Sequence, residues 1–237
     1  MTKKVRKKRL NIKRTLFFLL LFYIIGYSIY YMINQPIKHI YINGNNLIKD
    51  SDIIRLANIK DYPSIFKYSN KTLETKIKKN KLINSVNVKK TFNFTIKIDI
   101  IENKLLFYFL NEDKIVLSNG DIINNNLNNI IGIPTLINEC NKDILNKFIK
   151  SFSELNTNII YEIDYIEYYP SINNDKIISD NRFKIMMNDG NTVIVNTNSV
   201  STLNKYNDIY ASLGGKLGTI NLDSDKLSNL VFIPYEE

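Results

Sequence analysis

Cysteine and histidine are almost absent from this chain of 237 residues. Cys140 is the single cysteine, which excludes an intramolecular disulfide and a cysteine-rich metal site. A lone cysteine in an exported domain is typical of a small, buried apolar residue. His39 is the single histidine, so any Ser-His-Asp or Cys-His mechanism would depend on it. It has no acidic neighbour in sequence, and we expect a surface or packed side chain.

The net charge of +9 is concentrated at the N-terminus. Eight of the 32 lysines and arginines lie in residues 1–14, with no acid among them. The remaining 24 cations face 23 acids, which leaves a net charge of +1 on the rest of the chain. A basic block beside an apolar run is an orientation signal for membrane insertion. Since the part that would fold is nearly neutral, we expect no nucleic-acid binding.

One long apolar run follows the basic block. It extends from Leu16 through Gly26 to Ile33 without a charge. As a helix this run is about 27 Å long, close to the hydrocarbon thickness of a lipid bilayer. No small-residue cleavage pattern follows it, so we expect an uncleaved anchor rather than a signal peptide. The charge rule then predicts a cytoplasmic tail at 1–14, a single transmembrane helix at 15–34, and an extracytoplasmic remainder.

Residues 36–104 predict a small module with the order strand, helix, helix, strand, strand. Ile40 and Ile42 alternate with polar residues before Asn43-Gly44, which indicates a strand and a turn. Helical spacing follows Asp50-Ser51-Asp52, which we expect to supply the N-cap, and continues in a second helix over 70–80. Strands are expected at 86–90 and at 94–101, where Phe94, Ile96, Ile98 and Ile100 share one face.

Residues 105–237 predict a mixed β domain. Asn119-Gly120 and Asp189-Gly190 are expected to close two hairpins. Apolar stripes predict helices at 143–155 and 199–213. A long strand is expected at 159–169, two last strands at 217–222 and 230–233, and an Asn-rich loop at 124–132. The chain as a whole is therefore predicted to be an α+β protein behind one membrane helix.

No motif in the sequence predicts catalysis, a cofactor or a metal. LGGKLG at 213–218 has the glycines of a phosphate loop without its residue order, and we expect these glycines to end a helix. Asp223 and Asp225 resemble a fragment of a calcium loop whose glycine and distant glutamate are missing. Asp99 is expected to face solvent with Lys97, rather than a cleft.

The order of these parts resembles the FtsQ/DivIB family of bacterial cell-division proteins, whose first ectodomain module is a POTRA domain. IKHIYINGN at 37–45 looks like the opening strand of that module. INSVNVKK at 83–90 and TIKIDIIE at 95–102 look like its closing hairpin. Residues 113–121 and 133–136 resemble the start of the family's β domain. The resemblance covers the chain from residue 1 to about 233, and the order of the motifs carries it.

Two places depart from the family pattern. The family usually has a proline in the turn at 91–94, where this chain has Phe92-Asn93-Phe94. It also usually has arginine and proline after the glutamate, where this chain has Asn103-Lys104. These departures concern the detail of the hairpin and leave the expected architecture unchanged.

The resemblance implies a non-enzymatic scaffold at the division septum that helps to regulate septal peptidoglycan synthesis. Its partners would be small single-pass coiled-coil proteins of the FtsL and FtsB/DivIC type, together with the septal peptidoglycan synthesis machinery. In the family, the β domain captures its partner by strand addition at an exposed edge near the C-terminus. The residues that correspond to this edge here are Gly218, Thr219, Ile220, Asn221, Leu222, Leu230, Val231, Phe232 and Ile233. Proline or paired charges near Ile220 are then expected to abolish binding while the domain stays folded.

Three other functions are considered. A membrane-anchored extracytoplasmic enzyme acting on peptides or the cell wall would need a polar cluster in a cleft. A signalling ectodomain would need more than a tail of residues 1–14 for its output inside the cell. An outer-membrane assembly protein, which also uses POTRA modules, would need a downstream barrel for which too few residues remain.

Overall fold

The structure is a computed structural model that describes residues 11–125, 132–174, 176–224 and 230–236. Most of the loop expected at 124–132 therefore lies outside the described residues. The helices are α1 Ile12–Ile33, α2 Asp50–Ala57, α3 Asn70–Ile77, α4 Lys142–Phe152, α5 Thr157–Tyr161, a 3-10 helix Val200–Lys205, and α6 Tyr206–Ser212. The strands are β1 His39–Asn43, β2 Ile83–Thr91, β3 Thr95–Glu102, β4 Leu105–Phe109, β5 Glu112–Leu117, β6 Ile122–Asn124, β7 Thr135–Leu136, β8 Ile163–Tyr168, β9 Ser171–Asn173, β10 Lys176–Ser179, β11 Arg182–Met187, β12 Thr192–Asn196, β13 Gly218–Asn221 and β14 Val231–Pro234.

Helix α1 has the length and composition of a membrane span. It comprises 22 residues from Ile12 to Ile33 and buries none of them against the rest of the protein. A run of exposed phenylalanine, leucine, isoleucine and tyrosine side chains is unfavourable in water and favourable in lipid. The helix contains the whole apolar run from Leu16 to Ile33, begins four residues before it, and ends one residue before the predicted boundary at residue 34. It fits a single-pass membrane protein, as the sequence predicted.

The described chain forms two compact units. The first holds the described residues up to Asn80 together with Ser85–Ile101, and the second holds Lys81–Asn84 and the described residues from Glu102 onward. The first unit contains α1 and a three-stranded sheet with the strand order β1-β3-β2. Strand β1 runs parallel to β3, with His39 opposite Thr95. The predicted order of strand, helix, helix, strand, strand is confirmed.

The core of the first unit comes from one face of each element. Ile96, Ile98 and Ile100 of β3 are buried, as their period-two spacing predicted. Phe94, which was predicted to share their face, lies instead in the turn before β3 with φ of +59° and is only partly buried. The buried residues of the two helices are Ile53 and Ala57 of α2 and Leu73 and Ile77 of α3.

The caps of the two helices differ. Ser69 caps α3 and accepts a hydrogen bond from the backbone N–H of Thr72 at 3.1 Å. The expected cap of α2 is wrong, because Lys49 occupies that position and makes no side-chain cap bond. Asp50 and Asp52 lie instead in the first turn, where a negative charge is favourable at the positive end of the helix dipole.

Nine of the described strands in the second unit form one mixed sheet. Their order is β14-β13-β12-β11-β8-β7-β4-β5-β6. Both predicted hairpins are confirmed: β5 pairs with β6 across Asn119-Gly120, and β11 pairs with β12 across Asp189-Gly190. A separate two-stranded ribbon, β9 with β10, was not expected from the sequence.

Helix α4 covers the middle of this sheet with phenylalanine rings. The Phe148 ring stacks on Phe183 of β11, with 3.9 Å between the ring centroids. Phe152 meets Phe107 of β4 edge to face at 5.8 Å. All four rings are fully buried, and pairs in such orientations stabilise a core beyond the area that they bury. The predicted apolar stripe is confirmed, although the helix ends at Phe152 and the buried Leu155 follows it.

Two elements differ from the sequence prediction. The strand expected at 159–169 begins only at Ile163, because Thr157–Tyr161 forms a helical turn. Ile159 and Ile160 are adjacent and both buried, which a helical turn against a sheet allows and a half-buried strand does not. The helix expected at 199–213 is divided into a 3-10 helix and α6, which meet at Tyr206.

Replacing Phe148 with alanine is expected to destabilise the second unit by about 3–5 kcal/mol, because the loss of a buried ring leaves a cavity. Urea unfolding of the full chain in detergent, followed by circular dichroism, measures this change. Asn146→Ala, at an exposed position of the same helix, is the matched control and should unfold as the parent does. Equal stability of the Phe148 and Asn146 variants would contradict the assigned core.

Candidate functional site

The structure does not gather those polar candidates of the sequence that it describes into one site. His39 is exposed at the start of β1, and its ring centroid lies 6.3 Å from that of Tyr41. Asp99 accepts a hydrogen bond from Asn43 at 3.0 Å on the exposed side of the same sheet. Within the described ranges no group of three or more His, Cys, Asp or Glu side chains is placed to hold a metal ion.

The glycines of LGGKLG end a helix. Gly214 and Gly215 follow α6 with φ of +64° and +71°, a left-handed conformation that favours glycine. The N–H of Gly214 donates to the carbonyl of Ala211 at 3.1 Å, and the Tyr210 hydroxyl donates to the carbonyl of Gly215 at the same distance. The expected helix end is confirmed.

Asp223, which follows β13, contacts residues of the neighbouring strands β11 and β12. Its Oδ2 lies 2.7 Å from Nε of Arg182, and this ion pair is largely shielded from solvent. Asn196 donates from Nδ2 to the Asp223 carbonyl at 2.6 Å and to Oδ1 at 3.1 Å. The carboxylate is therefore occupied by protein partners, while Asp225 lies outside the described residues.

Cys140 is partly exposed rather than fully buried. Burial of the sulfur raises the pKa of the Cys140 thiol to about 11. The neutral thiol predominates at physiological pH, and the thiolate is the reactive form. This side chain is consequently unsuited to nucleophilic chemistry.

The C-terminal strands form one edge of the large sheet. Strand β13 lies inside the sheet, parallel to β12 on one side and antiparallel to β14 on the other. Strand β14 is the outermost of the described strands at this edge. Among the residues predicted for this edge, Gly218–Asn221 are therefore interior and Val231–Ile233 are peripheral.

The position of Ile220 changes what a substitution there would test. Its side chain is completely buried and lies opposite Phe232 of β14. A charge or a proline at this position would leave a buried charge or break the pairing with a neighbouring strand. The expectation that such a variant stays folded therefore does not hold, because the residue belongs to the core.

The outer side of β14 offers backbone groups for pairing. The N–H of Tyr235 donates to the Leu217 carbonyl at 3.1 Å, which makes this a hydrogen-bonded pair. In an antiparallel ladder such pairs alternate, so the backbone groups of Phe232 face away from β13. Pro234 also faces outward and has no N–H, which limits pairing at that end. Val231 and Ile233 place exposed apolar side chains beside this row.

A buried polar network holds β13 in place. Asn191 accepts a hydrogen bond from the N–H of Gly218 at 2.9 Å and donates to the Tyr206 hydroxyl at 2.9 Å. Tyr206 in turn donates to Oδ2 of Asp189 at 2.6 Å. Burial, followed by this bond to Asp189, raises the pKa of Tyr206 far above its usual range, so the donor proton is retained. Because the donors and acceptors of the network are paired, the strand has one preferred position.

Gly218 is required by the close approach of β14. A Cβ atom on Gly218 would lie 2.4 Å from the carbonyl oxygen of Ile233 and 2.6 Å from a carbon of the Phe232 ring. Real Cβ atoms essentially never make contacts this short, so any side chain here must push the two strands apart. The sequence placed this glycine in a helix-ending cluster and in the predicted edge strand, but gave no sign of the close approach of β14.

The comparisons with known proteins agree with this architecture. Residues 35–103 match the family model described as "POTRA domain, FtsQ-type". These residues form an FtsQ-type POTRA domain. The matched region contains β1, α2, α3, β2 and β3, which is the module that the sequence predicted. The predicted resemblance to the FtsQ/DivIB family is confirmed.

Similar proteins extend the match beyond the POTRA domain. The chain is 24% identical over 213 residues to the cell division protein DivIB of Staphylococcus pseudintermedius, covering 85% of this chain and 69% of the relative. It is 26% identical over 208 residues to DivIB of Staphylococcus aureus, covering 85% of this chain and 46% of the relative, about half its length. It is 28% identical over 195 residues to DivIB of Bacillus anthracis, covering 79% of this chain and 70% of the relative. These relatives support a role in cell division.

A solved structure is also similar. It is the major extracytoplasmic domain, in its trans isomer, of the bacterial cell division protein DivIB from Geobacillus stearothermophilus. The match has a TM-score of 0.37 and 20% sequence identity, and it covers 49% of this chain and 98% of the solved chain.

Gly218→Ala is expected to separate β14 from β13 and to lower the stability of this edge by roughly 1–3 kcal/mol, because of the two short contacts. Hydrogen exchange read by mass spectrometry should become faster in residues 231–235, while the core strands stay protected. The control is Thr219→Ala, which shortens the side chain of the next residue of β13 and should leave exchange at 231–235 nearly unchanged. Equal protection in the parent and the Gly218 variant would contradict the packing described here.

Proposed function

We propose that this chain is a non-enzymatic scaffold of the bacterial division septum, held in the membrane by α1. The observation that carries the proposal is the similarity to DivIB proteins over 85% of the chain. The scaffold binds other membrane proteins of the septum and helps to regulate septal peptidoglycan synthesis. The proposed division of the chain is a basic tail at 1–14, a transmembrane helix at 15–34, the POTRA domain at 36–104 and the β domain at 105–237.

The proposed topology places the N-terminus in the cytoplasm and both folded units outside the cell membrane. Its support is the charge asymmetry, since residues 1–14 carry eight cations and no acid. Positive flanking residues are retained on the cytoplasmic side of a membrane helix. The tyrosines at the outer end of α1, Tyr27, Tyr30 and Tyr31, are suited to the opposite interface.

The proposed partner site is the outer edge of β14, with β13 as its support. The partners are small single-pass coiled-coil division proteins of the FtsL and FtsB/DivIC type. An added strand would pair with the outward backbone groups of Phe232 and meet the exposed side chains of Val231 and Ile233. Leu230, directly before the strand, would extend the same row, whereas Pro234 would end it. Gly218 to Leu222 contribute by holding β14 in position.

The double substitution Val231→Lys and Ile233→Lys is expected to weaken partner binding roughly tenfold or more, because it replaces apolar cross-strand contacts with charges. Both side chains are more than half exposed, so the domain should keep its fold. The measurement is capture of a purified DivIC-type partner by the full-length protein in detergent.

The control is Ile122→Lys on β6, the opposite edge of the same sheet, where the side chain is also exposed. Circular dichroism and a melting curve check the fold of both variants. Unchanged capture by the β14 variant, or an equal loss in both variants, would remove the partner site from this edge while leaving the division role open.

A fluorescent fusion at the N-terminus is expected to form a mid-cell band when dividing cells constrict, because septal proteins accumulate where the septum is built. Time-lapse microscopy of the organism that carries the gene measures this distribution. A fusion to residues 1–34 alone serves as the control for the contribution of the anchor. An even signal around the envelope from the full-length fusion would contradict the septal role.

A further inference from the structure

The topology of the POTRA domain brings one turn to the membrane end of its sheet. Strand β1 begins at His39, six residues after α1 ends. Because β3 is parallel to β1 with Thr95 opposite His39, the start of β3 lies at the same end of the sheet. The turn at 91–94, which connects β2 to β3, must therefore also lie at the end nearest the membrane helix.

Hydrogen bonds fix a second segment at the same place. The Ser64 hydroxyl donates to the carbonyl of Ile33, the last residue of α1. The N–H of Ile65 donates to the Gln35 carbonyl at 3.2 Å, and the N–H of Ile37 donates to the Pro63 carbonyl at 3.1 Å. Residues 63–65 are thus bonded directly to the end of the helix and to the segment that leaves it.

A cleft lies between these two segments and the helix. Its volume is about 150 Å³, and it is lined by Met32, Ile65, Phe66, Lys90, Thr91, Phe92 and Phe94. Met32 belongs to the last turn of α1, so the cleft is continuous with the surface that the bilayer covers. Phe92 is completely exposed and Phe66 is half exposed, which is costly for two phenylalanines in water.

Hydrogen bonds from Lys90 connect the two sides of the cleft, and two further lysines lie at its border. Lys90 donates from Nζ to the Ile65 carbonyl at 2.5 Å and also to the Tyr68 carbonyl, which joins β2 to the second segment. The Lys38 ammonium lies 5.3 Å from the centre of the Phe94 ring, and Lys67 is exposed next to Phe66. Aromatic rings are enriched at bilayer interfaces, and lysines beside them can lay their apolar stems along lipid while the ammonium groups stay in water.

We propose that Phe66 and Phe92 insert into the outer interface of the bilayer, so that the POTRA domain is held against the membrane surface. The continuity of the cleft with α1 identifies lipid as the occupant, since Met32 and the two phenylalanines form one apolar surface. Two points of attachment, the anchor and this aromatic tip, restrict the tilt of the domain on its helix. The inference rests on the proposed function only in that α1 spans the bilayer.

The absence of tryptophan from the chain allows a direct test. Phe92→Trp creates a single fluorescent reporter at the tip of the turn in the full-length protein, reconstituted in vesicles of phosphatidylcholine and phosphatidylglycerol. We expect blue-shifted emission, protection from iodide, and loss of emission with lipids brominated near the head groups. Ile101→Trp is the matched control, because Ile101 is exposed near the other end of β3, about 20 Å farther along the strand.

Three results separate the alternatives. Emission from Phe92→Trp that is quenched by iodide as strongly as that of Ile101→Trp would overturn the proposal. Protection from iodide without quenching by brominated lipid would also overturn it, because a protein surface would then cover the tip. Tyr23→Trp, at the middle of α1, reports on the span itself. Absence of quenching there by lipids brominated deep in the chains would refute the membrane span rather than the aromatic tip alone.

Discussion

The parallel pairing of β1 with β3 is the constraint on which the POTRA domain depends. Parallel neighbours cannot be joined by a tight turn, so the chain between them must cross over, and α2, α3 and β2 supply that crossover. The helices bury Ile53, Leu73 and Ile77, while β3 buries Ile96, Ile98 and Ile100. Because β1 begins a few residues after α1 ends, the same pairing also determines which end of the sheet is near the end of α1.

In the β domain the corresponding constraint is the order of the last strands. Strand β13 enters the sheet parallel to β12, and the network around Asn191 and Tyr206 fixes its start, while Asp223 fixes its end. Strand β14 then pairs antiparallel with β13. The two strands can approach so closely because Gly218 has no side chain. Under the proposed strand addition, an edge whose position is already fixed by these contacts would lose less entropy on binding.

Local patterns predicted the elements well where burial follows a simple period. The alternation in β3, the stripe of α4 and the Asn-Gly and Asp-Gly turns all correspond to observed structure. The prediction was wrong where two consecutive residues are both buried and where the elements are short. Ile159 and Ile160 were predicted to lie in a strand, but they lie in a helical turn that buries both. The ribbon of β9 and β10 exposes Ile172, Ile177 and Ile178, so no buried face marks it in the sequence.

The amino-acid sequence by itself determined the long apolar helix, the α+β class, the order of the POTRA module and the positions of the two last strands to within one residue at each end. Each of these depends on composition or spacing within a short segment, where apolar surface and backbone bonding restrict the choices. Only the tertiary structure decided that Ile220 is core and β14 is the edge, since strand order depends on contacts between residues far apart in the chain. It also decided that Phe66 and Phe92 meet beside the end of α1. Their separation of 26 positions carries no local signal, and the parallel β1–β3 pairing brings them together.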